Sequence, residues 1–469
     1  MTPAPAIAQL GFRARLARIY LAAIVCTALA YGSASTVQSS FAAIAFAVLA
    51  LLSISHPIGS LRVGRVQAVS ILLLACLLGY AAFQALPLAG ADIANGAWKS
   101  IDENIGPALG TISVAPGMTL DALSSLALPF LAFISALVFF QGDDEALWLW
   151  RALAYFGAAY AAFGILQELL LPEQLLFEPK QYYVGYLTAT FVNRNTAGTF
   201  FGIALLLNLG LEFHELRSIR IASFVKKALN FDIGWRDKNA LVLIYALSCL
   251  NVGMALFLTQ SRGAVGATFV ACVAAAALIT TRRLTADRPN GEFVSWRRYA
   301  ALAASLLVIV GLFALFAGRS VYRMEAQGGE DGRWCSFAST IEAIRDNSIL
   351  GTGLGAFQDV FPVYRDSDCA GIFGVWERAH NLFLEGFLGL GLPFVAALTI
   401  GYLILVGVFI RGIRIRRQFR FIPIMGLAVL ILASLHSIVD FSLQIPGVGV
   451  YFAAVMAAAT TVSLGRGRE

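Results

Sequence analysis

Charge is scarce in this sequence. Asp, Glu, Lys and Arg together make up 13% of its 469 residues, about half the ~25% usual for a soluble domain. So few charges cannot cover a water-facing surface, which excludes a string of soluble domains. Histidine is scarcer, with four in the chain, and no His/Cys cluster has the spacing of a metal site. There is no Gly-Lys phosphate loop and no nucleophile elbow. The nearest approach to a divalent-metal motif is Asp366-Ser-Asp368, a lone DxD in a polar loop where acids are common. No metal and no other cofactor is expected. Internal repeats are absent too.

Apolar residues fill the space that charge leaves. They make up 59% of the chain, against about 45–50% in soluble domains. Runs long enough to cross ~30 Å of hydrocarbon as helix recur from Ile19 to Leu464. The pattern predicts an all-α polytopic membrane protein with about 12 transmembrane helices, at residues 19–33, 40–55, 66–88, 120–141, 148–170, 196–212, 240–259, 264–281, 299–317, 385–410, 421–441 and 447–464. Residues 13–35 also have the basic start, apolar run and small residues of a signal peptide. An uncleaved first span is the expectation.

The net charge of +6 would suggest nucleic acid in a soluble protein. Here Arg13, Arg15 and Arg18 precede the first run and place the N-terminus inside. Further basic residues gather in loops of the same side, at Arg62/Arg65, Arg217 to Lys238, Arg282 to Arg298 and Arg411 to Arg420. The acids gather opposite. The excess therefore reports orientation, with both termini inside and no nucleic-acid partner. The basic, amphipathic segment Ser218–Ala228 is expected to lie on anionic lipid.

Three divisions follow: residues 1–317 with nine spans and outside segments 89–119 and 171–194, an outside loop subdomain at 318–384, and three spans at 385–469. The loop holds Cys335 and Cys369, an even pair that predicts a disulfide in an oxidising compartment. Cys26, Cys76, Cys249 and Cys272 sit in spans as small apolar residues.

Outside arginines run against the orientation bias. Arg194 lies in FVNRNTA, where an apolar helix opens, and Arg262 lies in TQSRGA, a tight turn between spans. Two readings fit each: an anchor to lipid headgroups, or a guanidinium fork offered to phosphate, helped at Arg194 by helix-terminal amides. His380 falls in RAHNLFLE, where the large loop re-enters the membrane. An imidazole with a pKa near 6.5 suits acid–base work there. His436 and Asp440 stand four apart and are expected to share a helix face, as a mutually satisfied structural pair or as part of a site. His56 and His214 fall inside, away from this chemistry.

FVNRNTA, TQSRGA, the Gly-x-Gly-x-Gly-x-Phe segment Gly351–Phe357, AHNLFLEGFLGLG and LHSIVDFSLQIPG, in this order across about 187 to 445, resemble the O-antigen ligase and O-antigen polymerase superfamily. The resemblance implies a GT-C-type glycosyltransferase of a bacterial inner membrane, with its active site facing the periplasm. The donor would be a glycan on undecaprenyl pyrophosphate, and the acceptor lipid A–core or another lipid-linked glycan. Arg194 and Arg262 match the family's pyrophosphate-binding arginines and His380 its catalytic histidine. Arg333 matches a loop arginine; with Arg378 and Glu385 it is a candidate substrate-loop residue. Gly389 departs from the pattern, since many members carry a second acid there. A transporter is the other class weighed, and spans almost free of charge at mid-depth speak against it.

Overall fold

The computed structural model describes residues 4–54, 60–87, 93–107, 109–217, 219, 227, 230, 234, 238–285, 333–366 and 374–465. The expected ninth span at 299–317, His56, most of Ser218–Ala228, most of Arg282–Arg298, Asp368 and Cys369 lie outside them.

Among the described residues the chain is all-α apart from one hairpin. Its helices are α1 Ala4–Leu29, α2 Thr36–Ile54, α3 Leu61–Gln84, α4 Ala97–Asn104, α5 Pro116–Phe139, α6 Asp143–Leu170, α7 Arg194–Leu216, α8 Lys238–Leu258, α9 Arg262–Thr285, α10 Arg333–Asn347, α11 Phe357–Tyr364, α12 Leu382–Leu390, α13 Leu392–Ile415, α14 Phe421–Ser437 and α15 Pro446–Leu464. The hairpin pairs β1 Gln174–Leu175 with β2 Glu178–Pro179, antiparallel. Nine of the described helices are long and apolar enough to cross a membrane. The protein is a multi-pass membrane protein.

The expected span at 385–410 is two helices. α12 ends at Leu390, Gly391 turns with φ 64° and ψ −151°, and α13 begins at Leu392. Apolar residues run through the break, so hydropathy alone cannot show it. The expected outside segment 89–119 contains the short helix α4.

The described chain divides into two compact units. The first comprises Met1–Gln141, Gly329–Gly407 and Ser437–Ala457; the second comprises Gly142–Gly328, Val408–His436 and Ala458–Glu469. In the first, Tyr20 is buried against Phe46 and Phe140, with ring centroids at 5.7 Å in both cases. Its phenol donates to the Ala132 carbonyl at 2.9 Å, as a hydroxyl in an apolar interior must. Around Phe357 and Phe361 a separate core joins α10, α11 and α12 through Ala343, Ile344, Val360, Ala379 and Leu388.

In the second unit, Tyr160 is ringed by Phe191, Phe200 and Phe201. Lipid tails supply no hydrophobic drive between helices, so close backbone approach through small residues decides such packing. A Cβ on Gly198 of α7 would stand 2.7 Å from the Ala264 Cβ and 3.0 Å from the Ser261 Cβ. Those two atoms occupy the space a side chain would need. Cys26, Cys76, Cys249 and Cys272 are free thiols, and Cys335 is disulfide-bonded.

Candidate active site

Sequence places His380 just before α12, and the local structure fixes it there. Asn381 caps the helix, its side chain accepting from the Phe383 and Leu384 amides at 3.0 Å each. His380 itself has φ 53°, a left-handed conformation that a non-glycine residue holds only when its neighbours demand it. The demand comes from Glu385. Its carboxylate is 7% exposed, accepts from Arg378 Nη1 at 2.9 Å through Oε1, and accepts from the Ala379 amide at 2.9 Å through Oε2. One buried acid thus grips both residues that precede the histidine. Its place in the first turn of α12 adds the helix dipole to the same effect.

The imidazole sits edge-on to Trp376 and Phe441, at 5.4 and 5.0 Å between centroids. Arg378 also donates to Gln444 Oε1 at 3.3 Å, and Arg333 Nη1 donates to the Val439 carbonyl at 3.2 Å. Buried Asp440 accepts from the Ser442 hydroxyl. The first unit therefore brings Arg378, His380, Glu385 and Asp440 together on two segments, 376–385 and 439–444, with Arg333 reaching them from the start of α10. Glu385 lies buried in a helix rather than in the substrate loop expected for it.

The glycine motif stands behind this assembly. Thr352 and Gly353 donate their amides to the Leu388 and Gly389 carbonyls at 2.8 and 3.0 Å. Gln84 Nε2 reaches the Leu350 and Gly389 carbonyls at 2.7 and 2.9 Å. Gly351, Gly353 and Gly355 all have positive φ. The loop so clamps the end of α12 and accounts for the break at Gly391. A Cβ at Gly389 would come within 3.2 Å of the Gly353 carbonyl, a tight fit for the second acid that many resembled proteins carry. Nearby, Tyr364 donates to Asp346 Oδ2 at 3.0 Å. Burial first, and the acidic neighbour second, push its phenol pKa up.

Arg194 and Arg262 belong to the second unit. Arg194 is the first residue of α7, after the cap Asn193, whose side chain accepts from the Asn195 amide at 2.8 Å. Its guanidinium lies over the Tyr186 ring at 4.4 Å and over Tyr183 at 5.5 Å. Such a cation–π contact holds the plane of the fork. The segment carrying those rings is held by buried Lys180, which donates to Glu168 Oε2 at 2.7 Å and to the Tyr186 carbonyl at 2.8 Å. Arg262 opens α9 and is exposed. The residues flanking the arginines meet: Ser261 Oγ donates to Asn195 Oδ1 at 2.8 Å. Two helix N-termini, each opening on an arginine, are thereby joined side by side, an arrangement suited to an anion.

His436 and Asp440 do not share a helix face, because α14 ends at Ser437. His436 Nδ1 lies 2.6 Å from Thr199 Oγ1. The i, i+4 spacing misled because the helix stops between the two residues.

Residues 246–399 match the family model described as O-antigen ligase. That match supports the O-antigen ligase and polymerase superfamily. The matched stretch carries Arg262, Arg333, Arg378, His380 and Glu385 and ends before His436 and Asp440. Among curated proteins no relative matches. Sequence reasoning missed Gln84, Tyr183, Tyr186, Lys180 and Gln444. Gln84 carried a faint signal, as a polar group near the end of an apolar run.

Proposed function

We propose that this protein is a GT-C-type, inverting glycosyltransferase of the O-antigen ligase and polymerase superfamily, set in a bacterial inner membrane with both termini cytoplasmic and its chemistry at the periplasmic face. It moves glycan from undecaprenyl pyrophosphate to an acceptor hydroxyl, and lipid A–core is the acceptor we assign, making it an O-antigen ligase. The observation that carries this reading is His380, held in a left-handed conformation at the start of α12 by the Glu385 grip on Arg378 and Ala379. A histidine held in that way has a fixed position from which to work as a base.

In the proposed reaction the acceptor hydroxyl attacks the anomeric carbon of the donor sugar and its proton passes to His380. The bond from that carbon to the pyrophosphate oxygen breaks. Charge develops on the leaving undecaprenyl pyrophosphate, and the guanidinium groups of Arg194 and Arg262 stabilise it where a metal ion otherwise would. A single in-line displacement inverts the anomeric configuration.

The test is purified protein supplied with an undecaprenyl-pyrophosphate-linked O-antigen and offered two acceptors. Glycan joined to lipid A–core supports the ligase. A ladder of lengthened lipid-linked glycan without that product reassigns the chain to the polymerase branch of the superfamily. Movement of intact donor across proteoliposomes without transfer would make it a transporter.

A further inference from the structure

Four buried polar side chains of the second unit have no role in the reaction above. Asn195, Thr199, Ser261 and His436 are 6%, 1%, 1% and 2% exposed. In an apolar helix bundle such groups carry a desolvation cost unless they are hydrogen-bonded. They are connected in one run. His436 Nδ1 and Thr199 Oγ1 are 2.6 Å apart, and the same hydroxyl lies 3.1 Å from the Asn195 carbonyl, one turn back along α7. The Asn195 side chain accepts from Ser261 Oγ at 2.8 Å, and Ser261 Oγ accepts from the Ala264 amide at 3.4 Å in the first turn of α9. The run starts on α14, crosses α7 and ends on α9. It finishes between the two cations, since Asn195 follows Arg194 and Ser261 precedes Arg262.

We propose that His436, acting through Thr199, is a positioning residue that fixes the N-termini of α7 and α9 so that Arg194 and Arg262 act as one pyrophosphate clamp. The inference rests on the pyrophosphate reading above and deepens it. Contact of Gly198 with Ala264 sets how near α7 and α9 approach, but apolar contact leaves rotation and axial slide weakly defined. Hydrogen bonds are directional, and this run supplies them where slide would move the arginines. Misplacement by about 1 Å can cost on the order of a hundredfold in a positioned reaction, so the register of these two helix ends matters.

Binding of undecaprenyl pyrophosphate to the purified full-length protein tests this without an acceptor or a sugar, with undecaprenyl monophosphate as the one-phosphate comparison. Thr199→Val and His436→Leu should each weaken pyrophosphate binding by roughly tenfold, about one hydrogen bond's worth at a charged site, and affect monophosphate binding less. Thr199→Ser keeps the hydroxyl, and His436→Asn keeps a polar atom near the Nδ1 position, so both should restore binding. Melting temperatures of all four variants are measured alongside. Wild-type affinity in Thr199→Val and His436→Leu would overturn the inference. So would equal losses in all four that follow melting temperature, because that is a packing role. If Arg194→Ala binds undecaprenyl pyrophosphate as tightly as wild type, the pyrophosphate reading itself fails, a result distinct from the other two.

Discussion

At the scale of single residues, charge and geometry can be separated. Arg194→Lys and Arg262→Lys keep a cation but lose the planar fork, and at Arg194 the substitution also changes the group lying over Tyr186. A headgroup anchor would tolerate lysine. A pyrophosphate contact would not, because losing an aligned hydrogen bond at a charged group costs about 1.5–3 kcal/mol, or roughly ten- to a hundredfold in rate. Single-turnover release of undecaprenyl pyrophosphate should slow by that factor in each variant, and wild-type rates in both would return the arginines to anchoring. Glu385→Gln makes a parallel case. The amide keeps the shape but turns an N–H₂ group toward Arg378 or Ala379, where both partners are donors. We expect kcat to fall by about tenfold or more with little change in donor KM, since the histidine is misplaced rather than removed. An unchanged kcat would mean that the grip does not serve His380. The cations and the histidine were legible in the sequence because charge at the edge of an apolar run stands out. Their supports were not. Tyr186 and Arg194, or Asn195 and Ser261, meet only after the chain folds, and neither pair has a spacing that announces contact.

Helices and loops show where hydropathy stops being informative. Nine of the twelve expected spans fall on described helices long and apolar enough to cross a membrane, because lipid leaves a backbone few options besides helix. Hydropathy could not separate α12 from α13, since the break is set by hydrogen bonds from a loop some 40 residues earlier. The glycines of that loop were legible as a motif, and their reason is now physical. Gly351 has φ 73°, and a Cβ there would strike the Gly389 carbonyl and approach the Gly391 nitrogen to 2.7 Å. Gly351→Ala should therefore destabilise the purified protein by about 1–3 kcal/mol, read as a lower melting temperature, and should reduce transfer through α12. A variant as stable and active as wild type would contradict the role given to this loop. The same region carries the proposed Cys335–Cys369 pair. Mass spectrometry of unreduced loop peptides from membrane-isolated protein should find the two cysteines joined, and two freely alkylated thiols would refute the pairing.

For the whole molecule, composition alone fixed the class: a chain with so little charge and so many long apolar runs can only be a multi-pass membrane protein. Which side carries the chemistry, and what that chemistry is, rests on far fewer residues. Most of the functional reading hangs on one histidine and on the transfer it is proposed to assist. The most direct measurement is single-turnover transfer from an undecaprenyl-pyrophosphate-linked glycan to lipid A–core in excess EDTA, comparing purified wild type with His380→Ala that inserts and melts like wild type. Wild type should transfer with chelator present, and the variant should lose at least about a hundredfold, within the range for removing a general base. Near-wild-type transfer by His380→Ala, or wild-type activity lost in EDTA and restored by magnesium or manganese, would contradict the proposed mechanism.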